Sequence, residues 1–365
     1  MHRQPLRLAA LAAAAVPGLT PVSVEPSPDD SPDVAAALVV DDAGQRWLVR
    51  SPRSAEAGIR LETELQVLAG FDPHLRAGLP FRVPSVAGAV RIDGLRTFVY
   101  QALPGEPATL EQIGGLGDAA VQDLGRILAA LHTLPLTVVE QADLPVYTAD
   151  HVRERHLTEL DRAAATGQVP PRLLRRWEET LEEADLWDFS PVPVHGDLHE
   201  DGLLVSRGRV VGVSGWTDLH VGDPAEDFAW LAAAEDPALP ERVLAAYAER
   251  LDSEGAAAPD AHLLRRGALL AEFALARWLL RGVDRHDAET TADARALLTE
   301  LAEAVGVAEA TAPQAAPTAD NVVGLHAAHD DRAPDWDEDD ADGVVDVSDD
   351  DGRAGGTVSV LRPVD

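Results

Sequence analysis

Cysteine is absent from the 365-residue sequence. That excludes a disulfide framework and thiolate metal sites, so any metal must be held by oxygen or imidazole donors. Basic residues are scarce: 30 Lys and Arg face 63 Asp and Glu, for a formal net charge of −33. A duplex-binding protein needs excess positive charge to displace counterions from phosphates, which argues against nucleic acid as a partner. The same acidic field serves solubility and steers cationic small molecules. No segment approaches the roughly 18 apolar residues that a membrane-spanning helix requires, so no membrane partner is expected. Internal repeats of fixed period are also lacking. The opening MHRQPLRLAALAAAAVPG places arginines before an alanine-rich run, as a secretory leader does. Alanine drives membrane entry weakly but forms helix well, so the segment reads as a first helix lying on the N-terminal lobe, in a cytoplasmic protein.

Hydrophobic residues make up 46% of the chain, enough for a sizeable core. Residues 36–50, AALVVDDAGQRWLVR, read as two strands around an Asp-Ala-Gly turn. Residues 55–69 place Ile59, Leu61, Leu65 and Leu68 near helical spacing, and residues 83–103 return to strand pattern around Asp93-Gly94. The order strand, strand, helix, strand, strand makes an α+β lobe that cannot close a core alone and must pack on the next part of the chain. Leu103-Pro104-Gly105 breaks the pattern, and from about 110 to 187 the sequence is amphipathic helix. Short strands at 203–205 and 210–213 flank an SRGR turn, and helices resume from DFAWLAAA at 227. The reading divides the chain into an N-terminal α+β lobe (1–102), a mainly helical C-terminal lobe (103–308) and a tail (309–365). The tail is Pro- and Ala-rich and then acidic, with little to bury, so it is expected to be disordered and to serve as an arm for an unidentified protein partner.

Phosphoryl transfer needs an acceptor hydroxyl held in line with the γ-phosphate, a carboxylate to orient it or take its proton, and divalent metal to neutralise the phosphate charge. HGDLHEDGLLV at 195–205 offers a carboxylate, Asp197, on a glycine-containing turn before a strand. Followed by VVGVSGWTDLHVGDPAEDFAWL at 210–231, this segment resembles the catalytic core of the aminoglycoside and macrolide phosphotransferases. The likeness extends over about residues 20–305 and implies a two-lobed, protein-kinase-like fold of the choline-kinase type, with a small antiparallel β lobe carrying one helix and a larger, mainly helical lobe.

The resemblance also implies roles. Asp197 becomes the catalytic base and His195 a stabiliser of its loop, while Gly222-Asp223-Pro224 and Asp227 hold the loop and cap the next helix. Arg50, paired with Glu64, would reach the phosphates of ATP or GTP, where most relatives use lysine; Arg53 is the competing choice. The backbone around Gln101 to Leu103 would meet the base, and His132 is read as packed rather than catalytic. Two positions depart from the family pattern. HGDLHxxN has Gly202 in its asparagine slot, and the IDW or IDF triplet reads Ser214-Gly215-Trp216, so both expected Mg2+ ligands are glycines. Asp201 and Asp218 are the surrogate ligands nearest in sequence. The expected activity is transfer of a nucleotide γ-phosphate to a hydroxyl of a small molecule, a cationic one such as an aminoglycoside included, or a macrolide or similar compound. The alternative is a pseudokinase that binds ligands or partners without turnover.

Overall fold

The computed structural model describes residues 3–311, so the expected tail lies outside the described residues from 312 onward. Helix α1 (Arg3–Ala15) leads into strands β1 (Pro21–Pro26), β2 (Val34–Asp41) and β3 (Arg46–Pro52), then helices α2 (Ala55–Gly70) and α3 (Pro73–Gly78), then strands β4 (Ser85–Ile92) and β5 (Leu95–Gln101). All neighbours in the resulting five-stranded sheet are antiparallel, in the order β1-β2-β3-β5-β4. Asp41 closes the β2–β3 hairpin: its carboxylate accepts the Gln45 N–H at 2.8 Å and the Trp47 indole N–H at 2.9 Å. Ser54 caps α2 by accepting the Ala57 N–H at 3.1 Å, satisfying one of the helix's free donors.

Alternation along the strands separates two apolar faces. Val39, Val49 and Val99 face α1 and its Leu8, Leu11 and Ala12, so the alanine-rich segment is a helix packed on the sheet. Phe98 and Tyr100 face the other way and join Leu61, Val67 and Leu68 of α2. Strand β1 follows α1 directly. Bounded by Pro21 and Pro26, it lies at the sheet edge, where a residue without an N–H is tolerated.

The larger lobe begins with β6 (Glu106–Pro107), α4 (Leu110–Gly115), α5 (Asp118–His132), α6 (Thr137–Gln141), α7 (Ala149–Ala165) and α8 (Pro171–Glu182). Next come strands β7 (Val192–Val194), β8 (Leu203–Ser206), β9 (Arg209–Val213) and β10 (His220–Gly222). β7 pairs with β10 and β6 with the β8–β9 hairpin, framing a loop at 195–202. The expected helix DFAWLAAA is instead wound as a 3₁₀ segment, Pro224–Ala233. Helices α9 (Leu239–Glu254), α10 (Leu263–Asp284) and α11 (Ala288–Thr311) complete the described chain.

One apolar core runs through both lobes, from Leu61 and Phe71 through Trp216 to Leu124, Phe228 and Tyr247. Phe71 meets Trp216 edge-on with ring centroids 4.8 Å apart. A second core, under α7, α8, α10 and α11, centres on Trp177 and Phe273. Between the cores lies a charge cluster that no local sequence pattern foretells. The fully buried Arg266 guanidinium holds Asp223 with two hydrogen bonds of 2.7 and 2.9 Å and reaches Asp260 at 2.8 Å. Removing one partner of such a pair strands a buried charge. Asp223→Ala is therefore expected to lower the unfolding free energy in urea by about 3–5 kcal/mol, and a loss below about 1 kcal/mol, the range of an exposed pair, would show that the pair is not needed.

Candidate active site

Strand β7 delivers the chain into His195-Gly196-Asp197. Gly196 has φ +80, and a Cβ there would stand 2.4 Å from the Asp218 carbonyl oxygen, so only glycine fits the turn. The loop is held from below by Asp227, on the first turns of the 3₁₀ segment. One carboxylate oxygen accepts the His195 backbone N–H at 2.8 Å and the other accepts that of Gly196 at 3.0 Å. The His132 Nε2 lies 3.2 Å from the same carboxylate, and its Nδ1 lies 2.9 Å from the Tyr247 hydroxyl. Burial alone would raise the Asp227 pKa; the His132 contact and the backbone donors overcome it and hold the carboxyl below its ordinary value. His132 is thus packed inside, buttressing the loop. The His195 ring is fully buried, with Nε2 at 3.0 Å from the Ser214 carbonyl. A carbonyl only accepts, so that nitrogen carries the proton.

Asp197 opens into a cleft. Its walls strip water from the carboxylate and raise its pKa above the ordinary aspartate value; Asp218 adds to the rise, while His199, His195 and Arg60 oppose it. Two cavities meet here, of about 680 and 570 Å³, and Asp197, Asp218, Arg60, Thr217 and Arg281 line both. The larger one, between the 195–197 loop, α7 and α10, is charge-balanced: Arg60, Arg155, Arg277 and Arg281 face Glu159, Asp197, Asp218 and Glu226. Tyr147 and Trp278 add aromatic surface.

The smaller cavity runs under the sheet to Arg50, whose guanidinium lies 2.5 Å from a Glu64 oxygen and 3.6 Å from Asp29. Arg53 is turned away and pairs with Asp30 at 3.1 Å, so Arg50 is the one brought to Glu64. The chain contains no lysine, so an arginine must serve wherever the family pattern calls for one. Gln101 and Leu103 border a third space of about 80 Å³, with Tyr100, Leu38, Leu48 and Leu204. Arg46 edges it, bound to Glu106 at 2.7 Å and Glu25 at 3.0 Å.

The donor set at the two metal-ligand slots does not suit magnesium. Gly202 uses its carbonyl to accept the Ser214 N–H at 2.9 Å. Gly215 sits at φ +86, a left-handed geometry that aspartate also visits, and a Cβ there would meet nothing closer than 3.7 Å. A side chain at 215 would find room, but the left-handed backbone would strain it. Asp218 is bound by Arg60 at 2.9 Å, and the Asp201 side chain is 72% exposed, 3.7 Å from His199. Among the described residues no three His, Asp or Glu side chains converge as a metal site.

Comparison with known proteins gives a family. Residues 33–262 match APH, the phosphotransferase enzyme family. The chain belongs to this family. A relative in sequence, viomycin phosphotransferase of Streptomyces vinaceus, is 29% identical over 191 residues, covering 50% of this chain and 64% of that protein. The uncharacterized protein YcbJ of Bacillus subtilis is 30% identical over 208 residues, 54% of this chain and 65% of that one. The matches thus span just under two thirds of these relatives. In structure, macrolide 2'-phosphotransferase MphH from Brachybacterium faecium is similar with a TM-score of 0.67 and 25% identity, over 80% of this chain and 97% of that one. The GDP complex of aminoglycoside 2'-phosphotransferase-IIIa is similar in fold, with a TM-score of 0.68 at 20% identity over 82% and 99%. The two-lobed architecture expected from the sequence is the one observed. Among the described residues of this APH-family protein no helix is long and apolar enough to cross a membrane.

The Asp197 loop also rests on His220, whose Nδ1 lies 2.8 Å from the Asp218 carbonyl and whose Nε2 lies 3.4 Å from Glu226. Burial pulls the His220 pKa down, but Glu226 more than compensates and the net shift is upward. A histidine raised in the fold stabilises fully below its unfolded pKa of about 6.5, and that contribution fades as pH rises through the folded value. Unfolding free energy is therefore expected to decline above pH about 6.5, and Glu226→Gln should flatten that decline. An NMR titration placing the His220 pKa below about 6.5 would contradict the assignment.

Proposed function

We propose that this protein transfers the γ-phosphate of ATP or GTP to a hydroxyl of a small molecule, with Asp197 as the base. The observation that carries this reading is that Asp197, an accessible carboxylate with no ion-pair partner among the described residues, stands at the junction of two cavities beside the Arg60-bound Asp218, one cavity running under the β sheet and one among the helices. The nucleotide's phosphates enter the first, toward Arg50, and its base takes the adjoining third space against the backbone near Gln101 and Leu103. The acceptor enters the second. Its hydroxyl gives its proton to Asp197 as its oxygen attacks the γ-phosphorus; the new O–P bond forms while the bond to the β-phosphate oxygen breaks, and the diphosphate leaves.

The family and its macrolide, aminoglycoside and viomycin phosphotransferases support an acceptor of the antibiotic type. The larger cavity carries four arginines against four acids, and so little net charge favours a mostly neutral, macrolide-like acceptor over a polycation. The glycines at 202 and 215 favour the second reading, a pseudokinase that binds without turnover.

Incubation with γ-labelled ATP or GTP and a panel of macrolides, aminoglycosides and viomycin separates the two. Label is expected on an acceptor, and Asp197→Asn should cut the rate about 10²- to 10⁴-fold. Failure of every pair to exchange label, with or without magnesium, would leave only the binding reading. The base must be ionised to work, so kcat/KM is expected to rise with pH through the raised Asp197 pKa, with its acid limb above the ordinary aspartate value of about 3.9. A limb at or below that value would remove Asp197 from the role.

A further inference from the structure

A triphosphate carries several negative charges, and a cleft that takes it must provide cations. In a chain of net charge −33 the general field works against it. The two family positions for metal ligands are glycines, and Asp218, the best-placed spare carboxylate, already holds Arg60 across the cleft at 2.9 Å. The cavity of about 570 Å³ is instead lined by four arginines, Arg50, Arg60, Arg281 and Arg285. Arg50 is committed to Glu64, and Arg285 approaches Asp33 at 3.7 Å.

Arg281 differs. It stands on α10 between Arg277 and Arg285, one helical turn from each, so the three guanidiniums share a face that runs from the acceptor cavity into the cleft. Like charges at this spacing repel. Glu159 answers Arg277 at 3.7 Å and Asp33 answers Arg285, but no acid among the described residues pairs with Arg281. An exposed, unpaired cation between two others, lining both cavities beside Asp197, lacks an anion.

We propose that guanidinium groups take the place of the divalent ion here, Arg281 and Arg60 holding the nucleotide phosphates with Arg285 in support. Arg60 exchanges its bond to Asp218 for one to a phosphate, as both side chains are partly exposed and the exchange costs little. The planar fork of arginine suits phosphate oxygens two at a time and keeps its charge at every working pH. The inference rests on the reading of the cleft as a nucleotide site, and it makes nucleotide binding independent of magnesium.

Calorimetric titration of the full chain with ATP and with ADP, at low salt in EDTA and again with magnesium, tests it. Affinity in EDTA is expected to lie within about threefold of that with magnesium. In EDTA, Arg281→Ala is expected to weaken ATP by about tenfold or more, and ADP less. Arg60→Ala should act in the same direction. Arg281→Lys should recover part of the loss, since a point charge replaces the fork. Both arginines are exposed, and unchanged melting temperatures will show that the variants are folded. Binding that appears only with magnesium, or an Arg281→Ala variant equal to the parent in EDTA, would overturn the proposal and leave the nucleotide site standing. Absence of binding in both buffers would overturn the nucleotide reading as well.

Discussion

The site depends on one buried carboxylate. Asp227 accepts the backbone N–H groups of His195 and Gly196 and touches His132, and these contacts keep it charged in an interior that would otherwise neutralise it. Two donors at the start of the loop fix where Gly196 turns, and the turn fixes where Asp197 emerges. The chain of support continues outward: Tyr247 steadies His132, Ser214 holds the His195 ring, and the Arg266–Asp223 pair anchors the segment that carries Asp227. An acid that faces the cleft is placed by one that never meets water.

A second constraint is the absence of lysine together with the two glycines in the cleft. Each alone has a mild reading, because arginine binds phosphate and a single missing oxygen can be replaced by water. Together they move the positive charge of the site from a bound ion to the chain itself.

Much of the fold is legible in the sequence, and the rest is hidden for physical reasons. The β2–β3 and β4–β5 hairpins, α1 and α2 announce themselves through turn residues and periodicity, which are local. Strands β6, β7 and β10 escape because two or three residues carry no period. DFAWLAAA reads as an ordinary helix; its apolar content is right, but composition does not distinguish 3₁₀ winding. At the site, Asp197, Arg50 and Glu64 come from the family resemblance, and the structure brings Arg50 and Glu64 into contact. The Arg266–Asp223 pair spans 43 residues with no pattern to mark it. The Arg277, Arg281, Arg285 ladder is plain as helical spacing, yet its meaning appears only when cavities are laid against that face.

The apolar core does not stop at the lobe boundary: α2 and Phe71 below the sheet share one continuous interior with Trp216 and Phe228 of the larger lobe. Two lobes with separate interiors can swing apart like jaws, each carrying its own packing intact. These cannot, since a wide swing would peel aromatic rings off one another and wet both surfaces. Admission of a guest between them must proceed by small sliding of interlocked side chains, a shear rather than a hinge.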